Sequence, residues 1–198
     1  MSINYFPTPY EDELLYSVLA RYNRHSGNIS YTQTAEQLFT NPRRTPSIEF
    51  ITSLTDEVLR ILLKKQSMAE LILNHTLFPY YGRFLPTAKR KNAFSSLCAM
   101  ENNARLLVEM PKNASKTTHL RYCPICSNQD RERYGETYWH RSHQLPKVVI
   151  CPKHHCYLQN SNVSILKTAC ALYTAESSCS ITVAESCSDF DASHSNCF

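Results

Sequence analysis

The sequence predicts a mainly α fold: a helical N-terminal part with a candidate helix-turn-helix, then a small Cys3His zinc-finger-like subdomain with short strands. Three observations carry this. Apolar residues recur at helical spacing through most of residues 9–110, with capping signals at the expected starts. Glycine occurs three times in 198 residues, too seldom for a β-sandwich with tight hairpins or for a glycine-rich phosphate loop. Two C-x2-[C/H] pairs, Cys123-Pro-Ile-Cys126 and Cys151-Pro-Lys-His154, stand 24 residues apart.

Taken in order, Thr8-Pro9-Tyr10-Glu11 reads as a capping box with proline in the first turn, and Glu11, Asp12 and Glu13 face the positive end of the dipole. With Leu14, Leu15, Val18, Leu19 and Tyr22 on one face and Gly27 as the stop, this predicts a helix over 9–25. A second helix starts at Ser30 or Thr32 and ends before Asn41-Pro42. The pair fits a helix-turn-helix, although the candidate recognition helix 32–40 carries Glu36 and no Lys or Arg, as an ordinary helical hairpin would. Further helices are expected at 55–65, at 68–76 behind a Ser67–Glu70 capping box, and at 87–110. Residues 77–86 between them read as an aromatic loop plugging the core, with Arg83 offering the alternative of base stacking. A boundary near 111–118 then divides a helical domain, 1–118, from a metal-knuckle subdomain, 119–160, and from a tail, 161–198.

Charge and cysteine follow the same division. Residues 1–160 hold 20 Lys and Arg against 13 acids, so this basic part permits a polyanionic partner; residues 161–198 hold one Lys against four acids. That tail has nine serines, four cysteines and few large apolar side chains, the composition of a poorly ordered or truncated segment. The nine cysteines cannot all pair within the chain, Met1–Phe6 lacks the features of a signal peptide, and no run approaches the ~20 apolar residues of a membrane span. A reducing, cytoplasmic setting is expected, where grouped cysteines serve metals more often than disulfides.

Two knuckles of the same form, each leading with Cys-Pro, assemble a tetrahedral site for Zn²⁺, with Cys123, Cys126, Cys151 and His154 as ligands. Four protein donors close the sphere, so the site is structural. His155 is the neighbouring alternative, but a two-residue gap favours His154. Cys156 follows too closely to be needed, Cys98 reads as a small buried apolar residue, and Cys170, Cys179, Cys187 and Cys197 match no zinc spacing. The insert 127–150 predicts a short helix at 130–135 and a strand at 147–150 leading into the second knuckle. Arg131, Arg133, Arg141, Lys147 and Lys153 are candidate DNA contacts, and a solvated face explains Arg131-Glu132-Arg133 equally well. His140 and His143 read as surface or core-lining groups. A zinc-dependent nuclease or hydrolase would need them at an open metal position, yet there is no H-E-x-x-H pattern and no paired acid is expected in reach.

The opening segment from Phe6-Pro7-Thr8-Pro9 through Leu14-Leu15-Tyr16-Ser17 is one of three that resemble the TniQ family, its TnsD-like branch most. The others are His75-Thr76-Leu77-Phe78-Pro79 and the run from Arg121-Tyr122-Cys123 through Tyr134-Gly135-Glu136-Thr137-Tyr138-Trp139 to Cys151-Pro152-Lys153-His154. They fall in the expected order across roughly residues 5–160. The resemblance implies a helix-turn-helix in the N-terminal part and a zinc finger whose ligands match Cys123, Cys126, Cys151 and His154. It implies a non-enzymatic selector of transposition target sites. Such proteins bind double-stranded attachment-site DNA, or join a CRISPR effector complex, and recruit the AAA+ ATPase TnsC and other transposition proteins in the bacterial nucleoid. TnsD-like proteins are longer, with further C-terminal domains that contribute to site recognition. A chain ending at Phe198 is expected to be a short form or a truncated product, and to retain TnsC recruitment more readily than full site recognition.

Overall fold

Periodic apolar stripes with few glycines give helices, and a computed structural model describing residues 3–43, 46–101, 118–165 and 172–180 contains seven of them. They are α1 (Leu15–His25), α2 (Tyr31–Leu38), α3 (Asp56–Leu62), α4 (Met68–His75), α5 (Phe78–Gly82), α6 (Thr87–Cys98) and α7 (Pro124–Tyr134). Two antiparallel strands, β1 (His119–Tyr122) and β2 (Gln159–Ser164), form the sheet, with a register irregularity between His119 and Arg121. No helix among the described residues is long and apolar enough to cross a membrane.

Local signals act where expected at α2 and α4. Ser30 accepts from Gln33 N at the start of α2, and Ser67 and Glu70 make a complete capping box at α4. α2 turns Thr32, Gln33 and Glu36 outward and Thr34, Ala35 and Leu38 inward. Residues 77–86 depart from the expected loop, since Phe78–Gly82 is a short helix with Pro79 in its first turn, where a missing N–H costs nothing. Its Phe78 and Tyr81 are buried, as a core plug requires, while Arg83 and Phe84 are exposed. α6 ends at Cys98, and Met100 at φ 54° turns the chain away; residues 102–117, with the remainder of the expected helix and most of the expected boundary, lie outside the described residues. Cys98 is half-buried at the core edge, not fully inside.

The largest correction is at the first helix, which begins at Leu15 instead of residue 9. Asp12 sits at φ 55°, and residues 12–14 run alongside 139–141. Leu14 N donates to Trp139 O at 3.0 Å and Arg141 N to Asp12 O at 2.6 Å. The acids expected to face the helix dipole have partners across the fold. Asp12 accepts from Arg141 Nε at 3.1 Å and from Ser142 N at 3.1 Å. Glu13, fully buried, accepts from Tyr10 N (2.9 Å), Ser17 Oγ (2.8 Å) and Arg21 Nη1 (3.0 Å). Tertiary partners outweigh a first-turn charge preference worth under ~1 kcal/mol. Arg21 also donates to Glu136 Oε1 at 2.8 Å, and His25 meets the other oxygen of Glu136 at 2.9 Å.

One core therefore runs through residues of 1–118 and 119–160. Trp139, fully buried, shares it with Leu14, Tyr16, Leu71, Leu97 and Leu120. Its backbone N donates to Ser17 Oγ at 3.0 Å and its Nε1 to Tyr173 O at 2.8 Å. Part of the serine- and cysteine-rich tail thus packs, against its composition. Leu172, Ala175 and Cys179 are buried, Tyr173 N donates to the Tyr16 hydroxyl, and Glu176 accepts from Arg131 Nε (2.9 Å) and Thr137 N (3.0 Å). Cys170, Cys187 and Cys197 lie outside the described residues.

Two outcomes follow from this joint. Trp139→Ala is expected to destabilise the protein by about 3–5 kcal/mol, read from urea unfolding; a loss below ~1 kcal/mol would contradict the shared core. Burial pushes the Glu13 carboxyl from 4.5 up to about 7, against the pull of Arg21. Between those values the folded protein holds a proton that the unfolded chain has released, so this site contributes most below pH 4.5 and its contribution falls as pH rises to 7. Wild-type stability relative to Glu13→Gln is expected to decline over that window, and a pH-independent difference would refute it.

Candidate metal centre

The first half-site is built by the junction of β1 and α7. Cys123 ends the strand segment and is the N-cap of α7, its thiol accepting from Cys126 N, with Pro124 in the first helical turn. The helix runs over 124–134, longer than the expected 130–135, because the knuckle itself nucleates it. Gly135 closes it at φ 78°, a left-handed conformation that suits glycine.

The second half-site is a turn outside regular structure. His155 N donates to Cys151 O at 2.9 Å, Cys151 N donates to Cys156 O at 2.8 Å, and His155 takes φ 54°. The strand expected at 147–150 is reduced to a single bridge, Ile150 to Tyr157, with Lys147 at φ 64°. Gln144 explains why that segment does not extend the sheet. Its Oε1 accepts from Arg121 N at 3.0 Å and its Nε2 donates to Arg121 O at 2.7 Å, so one side chain satisfies the edge of β1 as a neighbouring strand would. The Arg121 side chain then reaches the other way, donating to Leu145 O at 2.8 Å and to Val148 O, and ties down the approach to Cys151.

These elements bring Cys123, Cys126, Cys151 and His154 together, their donor atoms all within 4.8 Å of one another. Cys126 Sγ lies 3.7 Å from Cys151 Sγ, and His154 Nδ1 lies 3.5, 3.3 and 3.8 Å from the sulfurs of Cys123, Cys126 and Cys151. A tetrahedron with ~2.3 Å metal–sulfur bonds has edges of about 3.8 Å, so the spacing fits a metal ion of that size. The three cysteines are buried and the histidine half-buried. His154 Nε2 faces Gln129 Oε1 at 3.1 Å, an arrangement that places its proton there and leaves Nδ1 free to ligate. His155 is exposed and outside the group.

The sequence reading names His140, His143 and Cys156 without placing any of them beside this group. His143, 2% exposed, places Nε2 at 3.8 Å from Cys126 Sγ, and burial pushes its pKa down to about 3, keeping the ring neutral. Against the expectation of no acid in reach, His140 Nε2 meets Asp130 Oδ2 at 2.8 Å. Cys156 Sγ lies 3.3 Å from Cys123 Sγ. Gln129, which the sequence reading did not single out, lies three residues beyond Cys126 on the same helix and was accessible to a spacing argument.

The candidate DNA contacts separate into two groups. Arg131 is held by Glu176, and Arg141 by Asp12 and by Leu73 O at 2.8 Å. Arg133, Lys147 and Lys153 are exposed, Arg133 over the Tyr134 ring and Lys153 donating to Gln129 Oε1 at 3.1 Å. Cys123→Ser or Cys151→Ser is expected to abolish metal binding and unfold the 119–160 region. Metal binding of this kind is folding free energy, on the order of 10 kcal/mol at neutral pH. A Cys123→Ser protein without metal and with wild-type melting would contradict this.

Comparison with known proteins agrees with the earlier resemblance. The TniQ family profile matches residues 4–158, a span that includes all four donors. The transposon Tn7 transposition protein TnsD of Escherichia coli is 32% identical over 153 residues, which cover 75% of this chain and 30% of that protein.

Proposed function

From a chain that belongs to the TniQ family, we propose a non-enzymatic adaptor that helps to select the target site for transposition. The observation that carries this is the likeness to TnsD, 32% identical over 153 residues, beside a TniQ family match over residues 4–158 that spans the helical part and the metal knuckles. The donors Cys123, Cys126, Cys151 and His154 suit Zn²⁺, which prefers thiolate and imidazole in a four-coordinate sphere, and which would lock α7 to the second knuckle. With His154 completing the set, no position is left for substrate. His143 is buried and neutral and His140 is engaged by Asp130, an arrangement that supports a structural centre over a hydrolytic one.

In this reading the partners are double-stranded target DNA and the AAA+ ATPase TnsC, with a CRISPR effector or other transposition proteins as the alternative means of delivery. Arg133, Lys147 and Lys153 supply phosphate contacts, since their charges face solvent; Arg131 and Arg141 hold the fold. α2 exposes no cation and is assigned no base-reading role, even if α1 and α2 form a helix-turn-helix.

The test is association of the purified chain with target DNA and TnsC, with and without a guide complex. Absence of any TnsC-dependent association under both conditions would overturn the adaptor. Lys147→Glu and Lys153→Glu are each expected to weaken DNA binding and to lower the salt slope by about one, whereas Arg141→Ala is expected to lower stability. Unchanged binding in all three lysine and arginine reversals (Arg133→Glu included) would remove the phosphate-contact assignment.

A further inference from the structure

The arm of residues 3–9 has no regular structure, yet it is fixed against the helices. Ile3 N donates to Glu57 Oε1 at 2.9 Å, and Thr8 O accepts from Arg21 Nη1 at 3.3 Å. Phe6 stacks on Tyr22 with 5.1 Å between ring centroids, and Pro7 is buried. Between this arm and the C-terminal ends of α3 and α4 lies an open cleft of about 310 Å³. Phe6, Pro7, Pro9, Ile61 and Leu62 give it apolar walls, and the two proline rings are stiff and present no N–H. Its volume stands at the bottom of the ~300–1,000 Å³ range of ligand pockets, room for one large side chain.

The polar groups of the cleft divide by depth. Thr8, Lys64 and Lys65 are exposed and form the rim, and no acid lines the cleft among the described residues. His75 is the most buried polar residue in it, 8% exposed. Its Nδ1 lies 2.7 Å from Glu13 O, an atom that only accepts, so Nδ1 carries the proton. Burial pushes the pKa of the ring down from 6.5, which keeps it neutral and leaves a lone pair on Nε2. That nitrogen has no partner among the described residues. The cleft therefore combines apolar walls, one inner acceptor and a cationic rim.

An indole answers all three. Its N–H donates to Nε2, and it has no acceptor to leave unpaired against the apolar walls; a phenol brings lone pairs there, and a phenyl ring leaves Nε2 without a donor. Lys64 and Lys65 select acidic residues beside it in the sequence that carries it. The one tryptophan of this chain, Trp139, is fully buried, so the indole comes from another protein.

We propose that this cleft docks a partner protein, which inserts one tryptophan side chain from an acidic segment. The buried aromatic anchors the contact and the rim lysines steer it. None of the four metal donors lines the cleft, so docking requires no metal ion.

The test uses the full chain and a capped, fluorescein-labelled peptide, Glu-Asp-Trp-Asp-Glu, with binding read by fluorescence anisotropy at low salt. Saturable binding is expected. Replacing the indole by a benzothiophene, of the same shape without the N–H, is expected to weaken it about ten-fold, because Nε2 is left unpaired. Alanine in that place is expected to abolish it. The double variant Lys64→Glu, Lys65→Glu, at two exposed positions, is expected to bind the acidic peptide about ten-fold more weakly and to prefer Lys-Lys-Trp-Lys-Lys instead.

No saturable binding of the tryptophan peptide overturns the proposal, as does equal binding of the alanine peptide or an unchanged preference in the double variant. Displacement by duplex DNA with indifference to the indole assigns the cleft to phosphate groups and overturns it as well. The peptide measurements contain neither DNA nor TnsC, so their failure is distinct from failure of the adaptor reading.

Discussion

Most of this structure depends on a splice of backbone between two segments far apart in the chain. Residues 12–14 run beside 139–141, exchanging hydrogen bonds through Leu14, Trp139, Arg141 and Asp12. At the start of α1, where the first amides lack intrahelical partners, Leu14 N finds one in this segment, Trp139 O, while Ser17 N and Val18 N bond back to Leu14 O. Trp139 is thereby placed in the helical core, Glu13 is enclosed beside Arg21, and the chain leaves at Arg141 toward the turn holding His143 and Gln144. Without this junction Leu14 at the start of α1 and Trp139 in the core lose the partners that hold them.

The candidate metal centre draws on the same economy of partners. Gln144 stands in for a strand at the edge of β1, Arg121 anchors the loop that β1 would otherwise have paired with, and Gln129 orients the imidazole. Each is a side chain satisfying a group that regular structure leaves open, so a short two-stranded sheet can hold four donors in place.

How far the sequence revealed this depends on whether the signal was local. The Ser67–Glu70 box and the stripe of α4 contain their own partners, and both were legible, as were the two knuckles, whose ligands lie three residues apart. The Thr8–Glu11 box had the same form and misled, because Asp12 and Glu13 bond to residues more than a hundred positions away or bury in a core that periodicity cannot foresee. The strand at 147–150 failed for the same reason, its place at the sheet edge being taken by Gln144. Composition suggested a weakly packing tail, yet Tyr173 and Glu176 have specific partners in Trp139, Tyr16 and Arg131 that no average of residue types contains.

The distance along the chain between the two halves of the splice also sets a schedule. During synthesis at ~5–20 residues per second, the amides and apolar stripe of α1 emerge roughly 6–25 s before Trp139 and Arg141 exist to cover them. Over that interval Leu14, Leu15, Leu19 and Tyr22 have only the other N-terminal helices for cover. The nascent chain therefore passes through a stage that exposes the buried face of α1 to chaperones and to other chains, and speed of translation through residues 15–139 becomes a determinant of yield.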